Sequence, residues 1–268
     1  MSEYIYDPNW EQERARLAGL EDALDPGTIR VLTSIGVDEG WNCLEVGGGG
    51  GSITAWLCEQ VGTSGRVIAT DIDPRFLEAI EAPNLEIRRH DILNDALEAD
   101  AFDLVHSRDL LEHLPGREQA LGTMIAAVKP GGWIVVEDVD FAVSLYGNDD
   151  AFGFSPEIAP LFSKVWRGNT RMMRARGIEP EFGRRLPGLL LLHGLEDVDA
   201  DVRARLMRGG SPLMALPRLA IQHLGPMLVD SGEVSQHEVD LLLETMEKDS
   251  SYGFAPLHVA AWGRKPGR

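Results

Sequence analysis

Two cysteines in 268 residues are too few to staple a chain of this length or to build a zinc site. Cys43 falls in an apolar run and Cys58 in a stretch of helical spacing, so both are expected as buried thiols. Long hydrophobic runs are missing too: none approaches the roughly 20 residues of a membrane span. The opening MSEYIYDPNWEQERARL lacks the apolar centre of a signal peptide, so the expected location is cytoplasmic, with no membrane partner. Positive charge is scarce, 25 Lys and Arg against 43 Asp and Glu, for a net charge of -18. A nucleic-acid backbone needs a positive surface, and no nucleic-acid partner is expected. The only dense basic segment, RGNTRMMRARG from Arg167 to Gly177, reads as a solvated helix face. The acidic excess suits a neutral or cationic substrate better than a polyanion.

What the sequence does have is glycine in one place. In CLEVGGGGGSITAWLCEQVG, Cys43 to Gly62, five consecutive glycines separate an apolar run from a segment with Ile53, Trp56, Leu57 and Val61 at helical spacing. Glycine loses more freedom on folding than any other residue, so such a run marks tight turning or close approach of a ligand. At a strand-to-helix turn the first amides of the helix lack partners and favour an anionic group.

The region from about Trp41 to Val139 alternates strand-like and helical stretches. WNCLEV, RVIATD, LEIRRHD, FDLVHS and WIVVEDV are separated by SITAWLCEQV, PRFLEAIEA, DALEA and GREQALGTMIAAV. That rhythm predicts an α/β fold with a Rossmann-like, doubly wound, mostly parallel sheet. Pro74 opens the second helix, and KPGG, Lys129 to Gly132, stops a helix before a strand. Residues 1–40 are expected as a helical cap, with helices from Glu11 to Leu20 and from Pro26 to Ile35, and 41–140 as the ligand-binding core. Residues 141–268 are expected to hold helices Ser155 to Arg174, Glu181 to His193, Pro217 to Val229 and Ser235 to Lys248, with strands at Val198 to Met207 and at APLHVAAWG. These complete a seven-stranded sheet with helical lid insertions, in a single catalytic domain whose late helices offer faces for a homodimer.

Three ligand classes place glycines after a first strand. A phosphate loop needs Lys then Ser or Thr, and GGGGGSIT has no Lys. The dinucleotide fingerprint G-x-G-x-x-G fits only with Ser52 in the last place, which keeps an NAD-dependent oxidoreductase as an alternative. The pattern acidic-x-G-x-G-x-G is met by Glu45, Gly47, Gly49 and Gly51. Here the chain resembles the class I S-adenosylmethionine-dependent methyltransferases, over roughly Trp41 to Asp140. The resemblance implies that Glu45 ends the first strand and the three glycines pass under the methionine and ribose of S-adenosylmethionine, whose product is S-adenosylhomocysteine. It assigns Asp71 of ATDIDP to the ribose hydroxyls, Asp91 of RRHDIL to the adenine amino group, and Ile72 and Ile92 to the adenosine faces. Ser107 and Arg108 of FDLVHSRDLLEHLP fall where backbone holds the methionine end, and VKPGGWIVVED matches the glycine turn and fifth strand.

Methyl transfer needs mainly a nucleophile aligned behind the sulfonium methyl, and a base where the acceptor carries a proton. The candidates are His113, then His106 and Glu137, although a helical histidine also serves packing, and Arg108 has Asp109 and Glu112 as local partners. Glu137, Asp138 and Asp140 suit a cationic substrate, a metal or capping of the lid; capping is the expectation and no metal is expected. Phe154, Trp166 and Met173 stand for an apolar lid that selects a small, largely apolar metabolite in specialised metabolism, and Tyr4, Tyr6, Trp10 and Arg16 for a cap over the cofactor. A noncatalytic protein of methyltransferase type is the remaining alternative.

Overall fold

The structure, a computed structural model, describes residues 13–141 and 157–267. They form two compact units. The first takes in residues 24–138, 182–202 and 259–267; the second takes in 13–23, 139–141, 157–181 and 203–258.

The first unit is built on strands β1 (Asn42–Val46), β2 (Arg66–Asp71), β3 (Leu85–Arg89), β4 (Phe102–Arg108), β5 (Val128–Asp140), β6 (Glu196–Arg203) and β9 (Leu257–Arg264). Their order in the seven-stranded sheet is β3-β2-β1-β4-β5-β9-β6. The pairs β1–β2, β1–β4, β2–β3 and β4–β5 are parallel. The chain winds outward from β1 to β3 and then restarts at β4 on the other side of β1, so the topological switch point lies between β1 and β4. The central strands are apolar on both faces, as a doubly covered parallel sheet requires. Cys43, Leu104 and Val135 point into a core shared with Ile53, Leu57 and Val61 of α2 (Ser52–Val61) and with Val31 and Leu32 of α1 (Glu13–Ser34). Leu44, Val105 and Ile134 face the opposite core, with Leu121 and Met124 of α3 (Arg117–Ala127) and Leu189 and Leu190 of α5 (Leu186–Leu192). Both cysteines are free and buried, and burial pushes the Cys58 thiol up to about 11.

Several elements differ from the sequence expectation for physical reasons. The two N-terminal helices are one: α1 runs through Pro26. Proline cannot donate to the carbonyl four residues back, which here is that of Asp22. The Arg205 guanidinium supplies the missing donors, to Asp22 O at 3.2 Å and Ala23 O at 2.6 Å. The segment KPGG lies inside β5 as a bulge: Phe102 pairs with Val128, Leu104 already with Trp133, and Gly131 takes φ +82. PRFLEA is a 3-10 turn and DALEA is not helical, since segments this short lose the cost of helix nucleation. Strand β6 ends at Arg203, and Leu206–Arg208 forms a separate β7 paired antiparallel with β8 (Tyr252–Phe254).

The second unit packs α4 (Ala159–Ala175), α6 (Pro212–Asp230) and α7 (Gln236–Thr245) around Phe162, Val165, Trp166, Ile221, Leu228 and Leu242. Helix α7 starts with a reciprocal capping box between Ser235 and Glu238. Among the described residues no helix is long and apolar enough to cross a membrane.

At the far end of α2 the Asn84 amide donates to Cys58 O at 2.9 Å and Gly62 O at 2.7 Å, two carbonyls left without helical partners. Asn84→Ala is expected to lower unfolding free energy by about 1–3 kcal/mol in urea titration. Unchanged stability would show that water replaces this cap at no cost.

Candidate functional site

Between β1 and α2 the backbone turns with alternate residues in the left-handed region. Gly47, Gly49 and Gly51 take φ +74, +54 and +91, whereas Gly48 and Gly50 do not have positive φ. A side chain in that conformation costs roughly 1–2 kcal/mol, so three of the five glycines are required by the path itself. They are the three of the acidic-x-G-x-G-x-G register. The turn is fastened to β2: Gly47 and Gly48 donate to Thr70 O at 2.8 and 3.0 Å, and Gly49 donates to Asp71 Oδ2 at 3.0 Å. No side chain caps the start of α2.

Asp71 also accepts from the Asp73 amide at 2.9 Å, so each carboxylate oxygen holds one backbone donor and keeps a further lone pair. Burial raises its pKa, against the pull of those amides. Ile72 beside it is 63% exposed, whereas Ile92 at the β3 exit is buried. Asp91 accepts from Leu93 N at 3.0 Å and Asn94 Nδ2 at 2.7 Å, donors that hold its pKa low. These bonds shape the turn that replaces the expected DALEA helix.

A polar layer lies under the glycine turn, on the α1–α2 face of the sheet. Glu45, 4% exposed, accepts from Thr54 Oγ1 of α2 at 3.1 Å. Its register partner on β4 is His106, fully buried, with Nδ1 3.5 Å from Glu45 Oε1 and Nε2 3.3 Å from Glu137 Oε1 of β5. Burial opposes charging of this imidazole, but Glu137 and Glu45 outweigh it and raise its pKa to about 9. Arg108, the register partner of Glu137, bonds Asp25 Oδ1 at 2.9 Å and Thr28 Oγ1 at 3.0 Å, and Ser52 Oγ donates to Asp25 Oδ1 at 3.0 Å. Arg108 thus reaches α1, a partner that sequence analysis did not anticipate. Asp25, Thr28 and Thr54 were missed altogether, and the only trace of the layer in the sequence is the two hydroxyl residues just after the glycines.

Beyond β4 the chain turns sharply, with Asp109 at φ +51. Asp138 Oδ1 accepts from Leu110 N at 3.1 Å and Glu112 N at 3.4 Å and so holds the 3-10 turn Leu111–His113. Burial first, and the Asp109 charge second, raise the Asp138 pKa well above the usual carboxylate value. His113 stands at this turn, its side chain 18% exposed, with Nε2 3.4 Å from Glu112 Oε1. Ser107, Glu137 and Asp140 are buried. In the second unit Trp166 stacks on Phe162, and Met173 packs with Ile178 and Leu224, so both belong to that unit's core. Arg16 is paired with Glu13. Phe154, Tyr4, Tyr6 and Trp10 lie outside the described residues. Among the described residues no group of three or more His, Cys, Asp or Glu is arranged to hold a metal ion.

An alanine at Gly51 combines φ +91 with a Cβ only 2.6 Å from Ile80 Cδ1. Gly51→Ala is expected to destabilise the protein by about 1–3 kcal/mol in thermal or urea melts, through strain and displacement of Ile80. A wild-type melting curve would refute the requirement for a left-handed residue there.

A family model described as a methyltransferase domain matches residues 6–178, well over half of the chain. Methyltransferase str3 of Strobilurus tenacellus is 30% identical over 186 residues, covering 69% of this chain and 62% of that protein. Methyltransferase str2 of the same organism is 29% identical over 179 residues, covering 66% and 61%. The chain therefore spans about three fifths of the length of these curated relatives. In fold, the chain is similar to Haemonchus contortus phosphoethanolamine N-methyltransferase 2, solved with phosphomonomethylethanolamine and S-adenosylhomocysteine. That match has a TM-score of 0.61 at 14% identity, over 99% of this chain and 60% of the other. With its motifs in order on a seven-stranded doubly wound sheet, the chain belongs to the methyltransferase-domain family, in the S-adenosylmethionine-dependent class I.

Proposed function

We propose that the protein transfers a methyl group from S-adenosylmethionine to a small, largely apolar metabolite. The observation that carries this reading is the coincidence of the left-handed residues with Gly47, Gly49 and Gly51, on a turn fastened to the Asp71 carboxylate. The donor set suits an adenosyl sulfonium: Asp71 retains lone pairs for two neighbouring hydroxyls, and exposed Ile72 offers an apolar face to a purine. Asp91 retains lone pairs for the adenine amino group, Ile92 backs it, and the backbone at Ser107 and Arg108 is assigned to the methionine end. When bound, the cofactor supplies an activated methyl group.

The chain's own part is then to orient the acceptor and take its proton. Of the three candidate bases, His106 and Glu137 are fully buried against each other, and neither has the access that proton exchange with an acceptor requires. His113 is partly exposed and sits beside Glu112, a carboxylate able to steady its protonated form, so the base role is assigned to His113. Placement in specialised metabolism extends the family resemblance.

Calorimetric titration with S-adenosylhomocysteine, with NAD and NADH as controls, tests the reading: binding of the sulfur compound alone is expected, and binding of the nicotinamides alone would replace it with a dehydrogenase. Asp71→Ala is expected to weaken S-adenosylhomocysteine binding by about two orders of magnitude, the value of two charge-assisted hydrogen bonds. Once methyl-labelled cofactor has identified an acceptor among apolar phenols and amines, His113→Ala is expected to lower kcat by about 10²-fold or more with cofactor affinity unchanged. Full turnover in that variant would remove His113 from the chemistry.

A further inference from the structure

The fully buried His106 has no place in proton transfer, yet it occupies the switch point of the sheet. Glu45 faces Nδ1 from β1 at 3.5 Å, and Glu137 faces Nε2 from β5 at 3.3 Å. Arg108 stands two residues along on β4 in register with Glu137, and Asp25 of α1 lies behind Arg108. From α2 the Thr54 hydroxyl reaches Glu45 and the Ser52 hydroxyl reaches Asp25. Asp109, Glu112, Asp138 and Asp140 are further acids at this end of β4 and β5.

Nε2 thus lies within hydrogen-bond reach of Glu137 Oε1, whereas Nδ1 stands at ion-pair distance from Glu45 Oε1 without a hydrogen bond. A neutral imidazole has one N–H and one lone pair, so it would turn a lone pair toward one of the two carboxylates. An imidazolium carries an N–H on each nitrogen, and its charge compensates both buried carboxylates, with Arg108 as a further cation beside Glu137. Glu45 is also the penultimate residue of β1, immediately before Val46 and the glycine turn, and its own backbone oxygen accepts from Thr70 Oγ1 at 3.1 Å. Its carboxylate holds Thr54, in the first turn of α2. Whatever fixes the Glu45 side chain therefore fixes both ends of the turn.

We propose that His106 is a positioning residue for the cofactor: as an imidazolium clamped between Glu45 and Glu137, it holds the strand end and the first turn of α2 that frame the glycine loop. It acts through Glu45 and Glu137 and touches no substrate. The cofactor is the one proposed above, and the inference rests on that reading. The raised pKa agrees with the geometry, and the sign gives a pH window. The folded-state value of about 9 exceeds the ordinary histidine value of 6.5, so the imidazolium persists in the folded protein until about 9, and the stability it contributes is fully present below about 6.5 and lost as pH rises through about 9.

Two measurements on the full chain test this. Nitrogen NMR of histidine-labelled protein is expected to show one of the seven histidines with both ring nitrogens protonated from neutral pH up to about 9. That signal is absent in His106→Gln and displaced in Glu137→Gln. If every histidine has lost a ring proton by about one unit above neutrality, the proposal is overturned. S-adenosylhomocysteine affinity is then compared between wild type and His106→Gln across pH. The expected ratio is roughly tenfold at neutral pH, falling toward one above about 9, where wild type has lost the same charge. A ratio of one at neutral pH overturns the proposal, and so does a deficit that does not change with pH, which a merely structural histidine would give. If His106→Gln does not fold, the wild-type NMR titration and Glu137→Gln decide. Wild-type protein that fails to bind S-adenosylhomocysteine refutes the cofactor reading, whereas binding with an unchanged His106→Gln refutes only this inference.

Discussion

Three backbone amides bonded to the end of β2 hold the rest of the arrangement in place. Gly47 and Gly48 donate to the Thr70 carbonyl and Gly49 to the Asp71 carboxylate. With those bonds made, the chain must reverse from β1 into α2 within a few residues, and it does so by visiting the left-handed region at every second position. Helix α2 then starts without a side-chain cap, above the central strands of the sheet. Asp71 fastens the turn, and the cofactor-binding role proposed for it falls on the same carboxylate.

Beneath the turn the sheet face changes from apolar to charged within two residues along each strand. Cys43 and Leu104 belong to a dry core, whereas Glu45 and His106, next on the same faces, belong to the polar layer. Charges at this depth persist because each is paired: Glu45 and Glu137 with His106, Arg108 with Asp25. Breaking one pair would leave a buried ion uncompensated, a cost of about 3–5 kcal/mol. The layer ties β1, β4 and β5 to α1 and α2 where the strand order reverses, the position at which doubly wound sheets take their ligands.

Local patterns carried much of this into the sequence. The spacing of Ile53, Leu57 and Val61 marked α2 at its observed limits, and the uninterrupted apolar runs marked the central strands. The register of Glu45 and the glycines was legible because the chemistry that needs left-handed residues tolerates almost nothing but glycine. What was not legible depends on partners far apart in sequence. Helix α1 survives Pro26 because Arg205 serves its freed carbonyls, and no local pattern announces a donor that distant. Arg108 had acids beside it in sequence, but the fold presents Asp25 and Thr28 of α1 instead. His106 read as one of three candidate bases, and only the strand register reveals that it sits between two carboxylates.

The central claim is that the glycine turn and Asp71 form an adenosyl-cofactor cradle. A crystal structure of the protein grown with S-adenosylhomocysteine tests it most directly. The account predicts the ribose hydroxyls on the Asp71 carboxylate, the methionine portion over Gly47 to Gly51, and the purine against Ile72. A ligand bound elsewhere, or one whose ribose leaves Asp71 without contact while the protein remains folded, would contradict it.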